Sequence, residues 1–174
     1  MTDPTHHDEH TNPASGERVE RLASLEESRA AVDRIIASAE RTLRIFERDL
    51  SDSGYRSPHR VELIEQFLRH RQGNRLLLVV HDARHLGRDA ARLMNLYRHY
   101  THAMEIHQTL EAAKVATDAL VLADDSHYWH RLHQDLPRAV VGSNDSAGAR
   151  PLLQRFDEIW DASEVAASGT VLGL

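Results

Sequence analysis

The sequence predicts an α/β protein with a mixed, mostly parallel sheet and helices on both faces. Three observations predict it. Segments with apolar residues at helical spacing alternate along the chain with short strand-like runs. Residues 76–80 and 119–123 are unbroken apolar runs, too short for helices, as strands buried on both faces are. Asp124-Asp125-Ser126 is turn chemistry between the second of these runs and an aromatic-bearing segment, which adds an antiparallel hairpin.

Taken in order, residues 1–20 read as a disordered, acidic, His-containing tail, with Pro4, Pro13 and Gly16 and no periodicity. A single domain is expected over 21–165 and a short tail over 166–174. Ser24 and Glu27 form a capping box, and the helix behind it buries Ala31, Val32, Ile35, Ile36 and Ala39. The period then changes: Leu43 and Ile45 alternate with Arg44, a strand ending in Glu47-Arg48-Asp49. A second helix carries Val61, Ile64, Phe67 and Leu68 on one face and stops at Gly73-Asn74. The strand over 76–80 ends in His81-Asp82. A third helix, opened by Gly87 or Asp89, carries Leu93, Met94 and Tyr97. Met104 and Ile106 alternate with Glu105 and His107, a half-buried strand. Residues 110–116 fit a short helix or an ordered loop. Residues 127–132 fold back on 119–123, and 139–141 form a last strand expected beside 119–123. The closing helix starts near Ser146, tolerates Pro151 in its early turns, and buries Leu152, Leu153, Phe156, Ile159 and Trp160.

Composition narrows the function classes. With no cysteine, disulfides and thiolate chemistry are excluded. The N-terminus has no basic start and no apolar stretch, and no run approaches a membrane span, so a cytoplasmic location is expected, with no membrane partner. Of the formal charge of -6, most comes from Asp3, Asp8, Glu9 and Glu17 in the tail, which leaves the rest near neutral. That balance does not predict strong nonspecific nucleic-acid binding. No GxSxG, P-loop or GxGxxG pattern is present, and no cofactor is implied.

The element order and residues 117–145 together resemble one half of the phospholipase D superfamily, whose signature is HxKxxxxD followed by a strand pair and a GSxN-like turn into a helix. Thr117 to Asp124 occupies the HxKxxxxD register, and Gly142-Ser143-Asn144-Asp145 the GSxN region, with Asn directly after Ser. The resemblance covers roughly residues 24–163. It implies a phospholipase D-like half-domain, a homodimer in place of the two fused halves, and a phosphate-bearing ligand. It also implies lost chemistry. The family's nucleophilic His falls on Thr117 and its charge-stabilising Lys on Ala119; Asp124 is retained. The reading is a non-catalytic binding or assembly module. The alternatives are a phosphodiesterase with a non-standard His/Asp site and nucleic-acid binding through an Arg-rich face.

The candidate catalytic residues for the phosphodiesterase alternative are His81, Asp82, His107 and Asp124, and the candidate ligand-binding residues are Arg48, Asp49, Asp124, Ser143 and Asn144. Most sit at or just after strand ends, and in open α/β sheets ligands bind beyond the carboxyl ends of the strands. Parallel strands would bring these groups together. The same residue types serve as ordinary turn-formers and helix caps. Arg56, Arg60, Arg69, Arg71 and Arg75 flank the second helix and could follow a nucleic-acid backbone, although a solvated face is commoner. His127, His130 and His133 would line up on a helix, but on a strand His130 faces away from the other two, so no metal is expected.

Overall fold

The structure, a computed structural model, describes residues 16–51 and 53–166. The tail readings over residues 1–15 and 167–174 lie outside the described residues. Among the described residues eight strands form one sheet, in the order β1-β7-β6-β5-β2-β3-β4-β8. They are β1 (Arg18–Leu22), β2 (Thr42–Glu47), β3 (Arg75–Val80), β4 (Met104–Thr109), β5 (Ala119–Ala123), β6 (His127–Arg131), β7 (Ala139–Ser143) and β8 (Ser163–Val165). The helices are α1 (Leu25–Ser38), α2 (Pro58–His70), α3 (Leu86–Asp89), α4 (Ala91–His99) and α5 (Ser146–Asp161), with a 3₁₀ turn at Glu111–Ala113.

The expected mixed α/β sheet is present. Its parallel part is β2-β3-β4; β5 runs against β2, and β6, β7, β1 and β8 each pair antiparallel. The antiparallel share exceeds the single hairpin because β5 runs against β2, β7 pairs with β6, and two edge strands escape the apolar pattern. β1 begins inside the segment read as tail and crosses its boundary at residue 20, and β8 follows the closing helix where no strand is expected. Both are short, and β1 is rich in charge (Arg18, Glu20, Arg21), the composition of a strand whose outer edge meets water. A second correction concerns β5 and β7. They share the sheet and run the same way, but β6 lies between them. The backbone of 127–131 fills the slot because the tight turn at Asp124, which takes a positive φ of 56°, returns the chain directly alongside β5.

Period 2 sorts the core into two layers. Leu43 and Ile45 of β2, Leu76, Leu78 and Val80 of β3, and Ala119 and Val121 of β5 pack with α1, α2 and α4. Phe46, Val79, Leu120, Leu122 and Tyr128 face Ala149, Phe156 and Ile159 of α5 on the other side. The capping box fixes the start of α1: Glu27 N–H donates to Ser24 Oγ at 3.1 Å, and Ser24 N–H donates to Glu27 Oε2 at 3.1 Å. α1 lies over β5 and β6 and beside α2. No helix among the described residues is long and apolar enough to cross a membrane.

Candidate functional site

Strand direction separates the candidate residues into two groups. The carboxyl ends of β2 and β3 place Arg48, Asp49, His81 and Asp82 at one edge of the sheet. Since β5 is antiparallel to β2, it is the start of β5, with Thr117 and Asp118, that meets this edge. Asp124 is at the opposite edge, across from Thr42. Ser143 and Asn144, at the end of β7, share that opposite edge. The candidate ligand set Arg48, Asp49, Asp124, Ser143 and Asn144 therefore does not converge, and Asp124 does not join His81 and Asp82. The expectation assumed that β5 ran parallel to β2.

At the Asp124 edge the side chains bind backbone. Asp124 Oδ2 accepts from Glu40 N–H at 2.8 Å, and Oδ1 from Arg41 and Thr42 N–H at 2.8 and 2.9 Å. It ties the α1–β2 connection to the hairpin. Asn144, at φ 54°, donates through Nδ2 to Gly16 O at 3.3 Å. Asp145 caps α5 by accepting from Gly148 N–H at 2.7 Å and also accepts from Tyr128 Oη–H at 2.8 Å. Burial, reinforced by that carboxylate, pushes the Tyr128 phenol up to about 12. Gly142 is required because a Cβ there would lie 2.2 Å from Cε1 of Tyr128.

At the other edge the sheet itself divides the residues, because alternation sends them to opposite faces. His81 and His107 lie on the α5 face. His81 meets Phe46 edge-on; its Nδ1 is 2.8 Å from Thr109 Oγ1 and its Nε2 is 2.7 Å from Ala116 O. A carbonyl only accepts, so Nε2 carries a proton, and Nδ1 is in hydrogen-bond contact with the threonine hydroxyl. Both ring nitrogens are thus engaged. His107 stacks on Trp160, with centroids 3.8 Å apart, and its Nδ1 is 2.8 Å from Ser163 Oγ; burial lowers its pKa. Asp82 is held down to about 2, chiefly by hydrogen bonds from the Arg84 side chain. Asp49 accepts from Ser51 N–H at 2.9 Å, a local turn. Asp118, on the α5 face, receives Arg155 Nη2 at 3.1 Å and lies 3.3 Å from His130 Nε2; although burial opposes ionisation, these partners bring it to about 2.

The face toward α1 and α2 carries the less ordinary chemistry. Glu47 follows Leu43 and Ile45 at period 2, so its carboxylate is carried inward and the residue is 2% exposed. Its Oε2 lies 3.8 Å from Arg131 Nη2. Burial pushes Glu47 up to about 7, against the pull of Arg131 and then Arg60 and with a further push from Asp49. In front of it is a cleft of 580 Å³, whose walls include Arg29, Arg48, Arg131 and Gln134. Arg48 bridges the mouth, donating to Gln134 Oε1 at 2.9 Å and to Asp135 Oδ1 at 2.6 Å. Among the described residues no His/Asp/Glu cluster is arranged to hold a metal.

The model of a domain of unknown function, DUF7931, matches residues 24–168. The chain belongs to that family. None of the curated proteins matches the sequence. Among solved structures, the DUF7931 chain is similar to Nuc from Salmonella typhimurium, a phospholipase D family member. The TM-score is 0.65 at 16% identity, covering 87% of this chain and 99% of that one. It is similar to TrmBL2, an archaeal chromatin protein described with a novel mode of DNA binding, at TM-score 0.62 and 12% identity, covering 87% of this chain and 55% of that one. NucT from Helicobacter pylori follows at 0.56 and 8%, covering 86% and 99%. The fold is phospholipase D-like.

Two residues of this edge escaped the sequence reading. Glu47 stands beside the more conspicuous Arg48 and Asp49, yet the Leu43-Ile45-Glu47 alternation signals an acid turned into the core. Arg131 carries the matching signal, two positions after the buried Trp129 on β6. The Arg-rich helix face is largely engaged within the fold. Arg60 is 1% exposed and donates to Asp33 Oδ1 at 2.6 Å; Arg56 pairs with Asp89 at 2.7 Å, and Arg75 pairs with Glu105.

Proposed function

We propose that this DUF7931 domain is a binding and assembly module that does not cleave its ligand. It holds a phosphate-bearing ligand in the cleft beside Glu47 and Arg131 and works as a homodimer in the cytoplasm. One observation carries the reading. Where the phospholipase D motif has its nucleophile and cation, this chain has Thr117 and a fully buried Ala119. Threonine without an adjacent base is a weak nucleophile, and a buried alanine stabilises no charge. His81 could stand in only by giving up the hydrogen bond at one ring nitrogen, Nδ1 to Thr109 or Nε2 to Ala116.

The dimer follows from the resemblance: that family pairs two halves, and this chain supplies one. Exposed apolar residues at the same sheet edge, Leu132 and Leu136 by the cleft and Val115 before β5, favour a covered surface there. Sedimentation velocity at tens of micromolar should give a dimer. A monomer at that concentration contradicts the assembly half of the proposal.

A further inference from the structure

The cleft has an inner recess. A small cavity of 20 Å³ is lined by Ser28, Arg29, Ser53, Glu47, Trp129 and Arg131, and most of these also line the larger cleft. A space of that size admits about one oxygen atom. Four of the residues on its walls each carry a buried polar atom with no hydrogen-bond partner among the described residues: Ser28 Oγ, Ser53 Oγ, Trp129 Nε1 and Arg131 Nε. Ser28 and Trp129 are 4% and 2% exposed. Folded proteins rarely leave such groups unpaired, because each forfeits its hydration. Here they come from α1, the loop after β2, and β6, so no single local turn explains them.

Their chemistry is one-sided. The Trp129 and Arg131 nitrogens only donate, and the two hydroxyls can donate. Such a set fits a group that mainly accepts, and Arg131 adds positive charge. The Glu47 carboxylate opposes an anion as long as it is ionised. The charged and titratable groups around it are Arg131 on β6, Arg60 on α2, paired to Asp33 of α1, Arg29 on α1, Arg48 and Asp49 just beyond β2, Asp135 after β6, paired to Arg48, and the buried Tyr55 phenol. We propose that the recess receives one oxygen of a ligand oxyanion, phosphate or carboxylate, and that Glu47 takes up a proton from solvent as it does so. The protonated acid then presents an O–H to the bound oxygen, and no bond of the ligand is broken. This rests on the cleft being the binding site.

Sulfate is the probe, because it does not itself titrate near neutral pH. Calorimetric titration of the full chain should show binding about tenfold tighter at about pH 6 than at about pH 8. At the higher pH about one proton should be taken up per sulfate bound, read from buffers of different ionisation heat. Glu47→Gln mimics the protonated acid. It should bind at both pH values about as the native chain does at the lower one. Trp129→Phe keeps the ring and removes the donor, and should weaken binding at both pH values while leaving the pH slope; Ser53→Ala serves if that variant fails to fold. No sulfate binding at either pH, the result for a buried water alone, overturns the proposal. So does a pH slope that survives Glu47→Gln. Sulfate binding indifferent to both Glu47→Gln and Trp129→Phe would leave the cleft as a binding site and remove the recess from it. The dimer measurement is unaffected by any of these outcomes.

Discussion

Asp124 and Thr42 meet across the amino end of β2, where the Asp124 Oδ1 atom accepts the Thr42 N–H at 2.9 Å. The same carboxylate takes the Glu40 and Arg41 N–H groups at 2.8 Å each. One aspartate thus gathers three consecutive backbone donors that no strand pairing reaches. The residue that the family motif retains here fastens α1 and β2 to the hairpin. Asp124→Ala should lower stability by roughly 2–3 kcal/mol, since hydrogen bonds to charged acceptors are worth more than neutral ones. Urea unfolding should show a lower midpoint with unchanged slope, and sulfate affinity should be unaffected.

This pair also shows how far the sequence reaches. The strand 119–123, the returning strand read as 127–132, the turn between them, the helix cap at Ser24 and the helices on both faces were all legible, because each rests on local pattern and turn chemistry. The direction of β5 relative to β2 was not. Pairing partners are set by long-range packing, and a run buried on both faces, as at 119–123, carries no mark of its neighbour. That one unknown moved Asp124, Ser143 and Asn144 to the far edge. The candidate residues at strand ends make hydrogen bonds within the fold, whereas Glu47, readable from its period, was hidden among more exposed polar neighbours.

Glu47 makes stability depend on pH. Its folded-state value of about 7 lies above the ordinary 4.5, so between those values the folded chain holds a proton that the unfolded chain has lost. Stability from this group is full below the lower value and declines until pH passes the upper one. Relative to Glu47→Gln, the native chain should lose about 3 kcal/mol between acidic conditions and about pH 8. Paired urea titrations across that range check it. A constant difference between the two proteins contradicts the burial of an ionisable carboxyl.

Gly142 and Tyr128 occupy one volume. Gly142→Ala should destabilise by about 1–3 kcal/mol, because the new methyl must displace a ring that is hydrogen-bonded to Asp145. Adding Tyr128→Leu to Gly142→Ala should restore part of the loss, so the two changes should not be additive in a double-mutant cycle. Full additivity would mean the ring is elsewhere.

Arg60 separates a structural arginine from a nucleic-acid contact. Buried against Asp33, with further bonds to Arg29 O at 2.8 Å and to Ser53 O, it should lose roughly 3–5 kcal/mol of stability when changed to Ala. Arg69 and Arg71 are exposed, and their neutralisation should leave stability nearly intact. Should DNA or RNA bind at low salt, and should that binding weaken in the Arg69/Arg71 variant, the second alternative would displace the one proposed.

The most direct test is a turnover assay. The purified full chain is incubated with a generic phosphodiester over neutral pH, beside a His81→Ala variant. The account predicts no hydrolysis above buffer in either protein. Saturable hydrolysis by the native chain that disappears in the His81→Ala variant would contradict it and make this an enzyme.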